Sequence, residues 1–220
     1  MTLKLGVLAS GRGTSLQALL DASARGEIPA QVAVVLSNRP RARALERARA
    51  AGVPAFALPQ QRFASLRERD LAMVERLRRY GVELVVLAGY DRVLSPEFVE
   101  AFPHRIINMH PSLLPAFGGA GWMAPRPQAE ALAHGCKITG CTIHLVTTES
   151  GVDAGPIVAQ AAVPIYDDDT VDTLVARVLR QEHRLLLETV RLFAEGRIRV
   201  EGRRVFTGSL RPPDEPGMPG

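Results

Sequence analysis

The sequence predicts an α/β fold: a mostly parallel, twisted sheet with helices on both faces. Three observations carry this expectation. Strand-like apolar runs alternate with helix-periodic segments through residues 3–110, the pattern of a parallel sheet with right-handed crossovers. "VELVVLAGY" (82–90) is the most apolar run and reads as a central strand buried on both faces. Three turn-rich stretches, "GRGTS", "AGYDRVLSP" and "NMHPSLLP", each lie where a strand stops. In such sheets ligands bind outside the carboxyl ends of the strands.

The elements follow in order. "LKLGVLAS" (3–10) is a buried strand, "GRGTS" (11–15) a turn, and "SLQALLDASARG" the helix after it. "QVAVVLSN" (31–38) is a second strand, followed by a helix across "RARALERARAAG" and a short third strand at "VPAFAL" (53–58). "ASLRERDLAMVERLRRYG" places Leu71, Met73, Val74 and Leu77 close to helical spacing. After the central strand, Ser95 and Pro96 open a helix as N-cap and first-turn proline. "RIINMH" (105–110) is the next strand. The second half changes character. "FGGAGWMAPRP" (117–127) is a Gly/Pro-rich loop, "QAEALAHG" a helix, and "KITGCTIHLVTT" and "PIVAQAAVPI" an alternating, antiparallel pair. A long amphipathic helix spans 170–196 and stops at Gly196. One domain over 1–206 is expected, with a disordered Pro/Gly-rich tail at 207–220.

Composition narrows the class. The chain has 220 residues, 46% apolar and 23% charged, which suits a globular enzyme and not a disordered chain. No stretch approaches the ~18 uninterrupted apolar residues of a membrane span, and the N-terminus lacks a signal-peptide core. A cytoplasmic protein is expected. Cys136 and Cys141 are the only cysteines. Their spacing has no second pair, so they read as small strand or core residues and no metal is expected. The net charge of +4 is too small to argue for nucleic acid. It suits anionic small molecules.

The "SGRGTS" turn lacks the third glycine of a dinucleotide fingerprint and the Gly-Lys-Ser/Thr of a P-loop. It reads either as a plain tight turn or as a strand-turn-helix whose amides, with the Thr14 and Ser15 hydroxyls, hold one phosphate. Of the five histidines, His110 is the one at a strand's carboxyl end; His144 lies inside an alternating strand and reads as a satisfied core residue. Asn108 stands two residues before His110, so both side chains share one strand face. Asp153, in "ESGVDAGPI", is either a turn former or a partner for His110. As a partner it would raise the histidine's pKa and favour imidazolium. The group then forms an oxyanion clamp: an amide donor, a cationic donor, and a carboxylate that orients the cation. No nucleophile motif is present, which points to direct acyl transfer between two bound substrates.

Four blocks, "LASGRGTSLQALLDA", "LAGYDRVLSPEFV", "IINMHPSLLP" and "TGCTIHLV" with "VDAGPIVAQAAVPI", give the chain a resemblance to the phosphoribosylglycinamide formyltransferase family, over residues 3 to about 206. The resemblance implies the Rossmann-like formyltransferase fold. It also implies formyl transfer from 10-formyltetrahydrofolate to phosphoribosylglycinamide in purine biosynthesis. By the same resemblance, Asn108, His110 and Asp153 match the catalytic trio; Gly13, Thr14 and Ser15 match the phosphate turn; and Glu182 matches a glutamate near the substrate ribose. Tyr90, Asp91, Arg92, Val93 and Leu94, with Asn108, match the folate side, and Arg67 matches a folate-side arginine. Where many relatives have a histidine after "SLLP", this chain has Arg126 and Gln128.

Small-molecule substrates are the expected partners, with no nucleic acid, no membrane, and assembly as a monomer or homodimer. Three alternatives stand beside this reading. Methionyl-tRNA formyltransferase adds a basic C-terminal domain and lacks the phosphate turn. Formyltetrahydrofolate hydrolase needs an additional N-terminal domain. A non-catalytic folate-binding protein would not need the intact trio.

Overall fold

The computed structural model describes residues 2–149 and 151–208. Expectations for 209–220 lie outside the described residues. One sheet organises the chain. Its strands are β1 (Leu3–Leu8), β2 (Ala30–Ser37), β3 (Ala55–Ala57), β4 (Leu84–Leu87), β5 (Ile106–His110), β6 (Ile138–Leu145), β7 (Ile157–Pro164), β8 (Arg199–Glu201) and β9 (Arg204–Phe206). They lie side by side in the order β3-β2-β1-β4-β5-β6-β7-β9-β8. From β3 to β5 every pairing is parallel; β5–β6 and β6–β7 are antiparallel.

Among the described residues six α-helices cover the two faces: α1 (Thr14–Ala24), α2 (Arg43–Ala50), α3 (Leu66–Arg79), α4 (Pro96–Glu100), α5 (Arg126–Ala133) and α6 (Val171–Ala194). The alternation along β1 shows how the layers are built. Leu5 and Val7 join a core with Leu16, Leu19, Leu45 and Leu186 of α1, α2 and α6. Leu8 points the other way, into a second core with Met73, Leu77 and Phe98 of α3 and α4. A strand buried on both sides cannot show polar alternation, which is why β1 and β4 read as continuous apolar runs.

Local signals set the helix ends. Ser65 caps α3 by accepting from the Glu68 amide at 3.1 Å, and Glu68 returns the favour to the Ala64 amide at 2.8 Å. Ser95 caps α4 and Pro96 takes its first turn, as expected. Thr170 and Thr173 form a reciprocal capping box at the start of α6, and Gly196 follows its end with φ 67°.

Three details depart from the sequence-based expectation. Helix α1 starts inside the "GRGTS" turn, at Thr14. In α3 the buried stripe runs through Arg69, Asp70, Met73, Val74 and Leu77, while Leu71 is 43% exposed. The sheet gains a hairpin, β8–β9, whose three-residue strands are too short to show a period. Among the described residues no helix is long and apolar enough to cross a membrane, and no group of three or more His, Cys, Asp or Glu side chains is placed to hold a metal.

Candidate active site

The site forms where β5 meets β6. Asn108 and His110 leave the same face of β5, and antiparallel pairing sets His144 of β6 directly opposite Asn108. The loop between β6 and β7 then carries Asp153 back to them. Asp153 has φ 58°, in the left-handed region that aspartate tolerates better than most residues. Its neighbour Gly155 cannot be replaced without conflict, since a Cβ there would lie 1.8 Å from the Leu145 carbonyl oxygen. Close approach at Gly155 lets the loop turn back onto β6.

Asp153 is the hub. Its Oδ2 is 3.2 Å from His110 Nδ1 and accepts from the Gly119 amide at 3.1 Å. Its Oδ1 accepts from Asn108 Nδ2 at 3.2 Å and lies 3.4 Å from His144 Nε2. His144 Nδ1 donates to the Leu145 carbonyl at 3.1 Å, and its Nε2, which faces Asp153, also lies 3.0 Å from Asn108 Nδ2. His110 Nε2 donates to the Phe117 carbonyl at 2.8 Å. Both nitrogens of His110 therefore face oxygen acceptors.

The electrostatics correct one expectation. Burial lowers the pKa of His110 and outweighs the Asp153 charge and the Phe117 carbonyl, which both act to raise it. Asp153 thus pushes in the anticipated direction, but desolvation of a ring that is 2% exposed prevails. Burial also works against the Asp153 carboxylate. The hydrogen bond to His144, the charge of His110 and the Gly119 amide overcome it and hold the pKa below the ordinary value.

The loop over the site is the glycine-rich stretch that follows "SLLP" and its cis Leu114–Pro115 peptide. Phe117 packs against Trp122 at 5.5 Å, and the Arg126 guanidinium stacks on Trp122 at 4.1 Å. Gln128 is buried and donates to the Pro111 carbonyl at 2.8 Å, tying α5 to the exit of β5.

At the turn after β1, Gly13 is the N-cap of α1 with φ 71°, and no side chain caps the helix. The first-turn amides at Thr14 and Ser15 therefore have no intrahelical partner. A Cβ at Gly13 would come within 2.8 Å of Ala44, so glycine also admits α2 beneath the turn. Donation from Ala44 N to Gly11 O (3.1 Å) and from Arg47 Nε to Arg12 O (2.9 Å) holds it there.

The segment 90–94 follows β4. Tyr90 is buried with its hydroxyl 3.8 Å from Met73 sulfur, and burial pushes its pKa up to about 12. Leu94 is buried in the same core. Asp91 accepts from Asn38 Nδ2 (2.8 Å) and pairs with Arg39, and its amide donates to Ser10 Oγ at 3.0 Å. Arg92 and Val93 face solvent. Arg67 is exposed on α3 and pairs with Glu97 at 2.7 Å. Glu182 lies on α6, near enough to Cys141 to help raise its thiol, after burial itself, to about 12. Burial raises the Glu182 carboxyl to about 7.

Sequence reasoning missed His144, the Phe117 carbonyl and the Gly119 amide. One signal was available for His144: it is the one basic side chain in an otherwise apolar and small-residue strand, "ITGCTIHL".

Comparison with known proteins identifies the family. The formyl transferase family model matches residues 3–190. The chain is 39% identical over 203 residues to the phosphoribosylglycinamide formyltransferase of Haemophilus influenzae, covering 92% of each chain. It is similar to the crystal structure of glycinamide ribonucleotide transformylase 1 from Symbiobacterium toebii, with TM-score 0.86, 52% identity and 93% of each chain covered. A formyltetrahydrofolate deformylase from Pseudomonas syringae shares the architecture at TM-score 0.82 but only 26% identity, over 94% of this chain and 66% of that one. The chain belongs to the formyl transferase family, among its phosphoribosylglycinamide formyltransferases.

Proposed function

We propose that the chain transfers the formyl group of 10-formyltetrahydrofolate to the amine of phosphoribosylglycinamide. The observation that carries this reading is the convergence of Asn108, His110 and His144 on one carboxylate, Asp153. The glycinamide nitrogen attacks the formyl carbon and the carbonyl electron pair moves onto oxygen. Collapse of the tetrahedral intermediate breaks the bond from carbon to folate N10, which takes up a proton while the attacking nitrogen loses one. Asn108 Nδ2 and a His110 N–H are the donors for the developing oxyanion.

The Phe117 carbonyl oxygen, 2.8 Å from His110 Nε2, occupies the place such an oxygen would take. Substrate binding must exchange it. Asp153 opposes the burial that lowers the His110 pKa, so its removal makes the protonated, two-donor ring harder still to form. The open amides at Thr14 and Ser15, with Gly13, receive the substrate phosphate, and Glu182 the ribose. The 90–94 segment and Arg67 serve the folate side. Tyr90 and Leu94, with side chains turned into the core, contribute their backbone.

Transfer is favoured over hydrolysis because identity is 52% to a transformylase and 26% to a deformylase. The test is an assay with both substrates and a control lacking the acceptor. Asp153→Asn should lose roughly 10²–10³ in kcat with unchanged circular dichroism. Folate turnover in the absence of acceptor would instead establish a hydrolase.

A further inference from the structure

Helix α2 grips the turn after β1 by two successive carbonyls. The Gly11 carbonyl accepts from Ala44 N at 3.1 Å, and the Arg12 carbonyl accepts from Arg47 Nε at 2.9 Å. Ala44 lies in the first turn of α2, which no side chain caps, so the Gly11 carbonyl satisfies a donor that the helix itself cannot. A trans peptide is planar, with its N–H opposed to its C=O. Tying both carbonyls to α2 therefore turns the Arg12 and Gly13 amides away from that helix. Neither amide meets an acceptor among the described residues.

Arg47 is half-buried and its guanidinium is split between two partners. While Nε holds the Arg12 carbonyl, Nη1 donates to Gln17 Oε1 at 2.9 Å. Gln17 in turn donates to Asp21 Oδ1 at 2.8 Å, one turn further along α1. Both acceptors of Arg47 are neutral, so neither contact is an ion pair. A planar guanidinium fork makes the two bonds together. A plain brace between α1 and α2 would need the Gln17 arm alone. The other arm goes to the carbonyl whose peptide carries the Gly13 N–H. That peptide is the one in need of a pin, because Gly13, at φ 71°, has no Cβ to restrict rotation on its side.

We propose that Arg47 is a positioning residue for the phosphate of the acceptor substrate. It holds the Arg12–Gly13 peptide with its N–H outward, so that the Gly13 amide joins those of Thr14 and Ser15 in one anion-binding nest. Without Arg47 the peptide is free to turn over, which replaces a donor by a carbonyl oxygen that repels phosphate. The proposal rests on the reading of this turn as the phosphate site.

Steady-state kinetics with phosphoribosylglycinamide and with its dephosphorylated riboside test both. In Arg47→Met the KM for the phosphorylated acceptor should rise about tenfold or more, the loss of one hydrogen bond to a charged group. The kcat and the KM for the formyl donor should stay unchanged, and the riboside should be used equally by variant and wild type. Arg47→Gln should give the same pattern and serves if the methionine variant does not fold. An unchanged KM in the variant, with the wild type still preferring the phosphorylated acceptor, overturns the proposal alone. A wild type indifferent to the phosphate overturns the phosphate reading of the turn and the proposal together. An equal loss on both acceptors makes Arg47 a brace for the fold, and also overturns it. The ratio of variant to wild-type KM should hold from roughly 0.05 to 0.5 M salt, since a fit set by direct contact is not screened. A ratio that falls to one at high salt would leave Arg47 only a distant charge and would overturn the positioning role.

Discussion

Asp153 holds a left-handed φ and gathers donors from three separate elements, and both facts follow from its being a short carboxylate at a forced turn. It was legible in the sequence only as one of two options, because Asp before Ala-Gly-Pro is also an ordinary turn. Its opposite number is Asp70, which is fully buried with Arg69 and also holds the Ser95 amide, so it fastens the start of α4 to α3. Asp70→Ala leaves a buried guanidinium unpaired. We expect a loss of about 3–5 kcal/mol in urea unfolding, with kcat per folded molecule changed far less than in Asp153→Asn. Neither buried charge could be read from "RERDLAMVERL", where Leu71 is the more apolar choice and helical phase alone decides which face turns inward. The trio's first two members were readable, since alternate strand residues share a face whatever the tertiary context.

At the scale of elements, the antiparallel pair β6–β7 supplies what the parallel half cannot. It returns the chain across the carboxyl end of β5 and delivers His144 and Asp153 together. The turn between them depends on Gly155 lying against the Leu145 carbonyl. Gly155→Ala should cost roughly 1–3 kcal/mol in thermal or urea unfolding. Because Asp153 is two residues away, kcat should fall by more than the folded fraction does; an activity loss equal to the loss of folded protein would deny the glycine its part in placing Asp153. The pair was legible from its alternation. Its register was not, and that register is what moves His144 from an apparent core position into the site. The β8–β9 hairpin escaped for a different reason, since strands of three residues carry too little pattern to distinguish from a turn.

Across the whole molecule, proton linkage gives a further test. Glu182 has its carboxyl raised from 4.5 to about 7 by burial. The folded chain therefore holds a proton that the unfolded chain releases, and stability from this group falls as pH rises between those two values. Glu182→Gln removes the effect. Relative to the variant, the wild-type Tm should drift downward from about pH 4.5 to about pH 7 and then run parallel to it. A difference in Tm that is flat across that window would mean the carboxyl is not raised. The parallel half of the sheet, its two cores and its helices were readable because doubly wound architecture repeats one strand-helix unit. What joins the halves is a set of contacts between residues far apart in the chain, and no local window contains it.

The pairing of Asn108 with His144 also makes the enzyme a check on its own assembly. A slip of one residue between β5 and β6 would turn His144 to the opposite face, while leaving the strand content and most of the helices unchanged. Such a misregistered chain would look correct by circular dichroism and be catalytically dead. Recovered turnover after refolding is therefore a stricter measure of a correctly zipped sheet than any spectroscopic signal of its secondary structure.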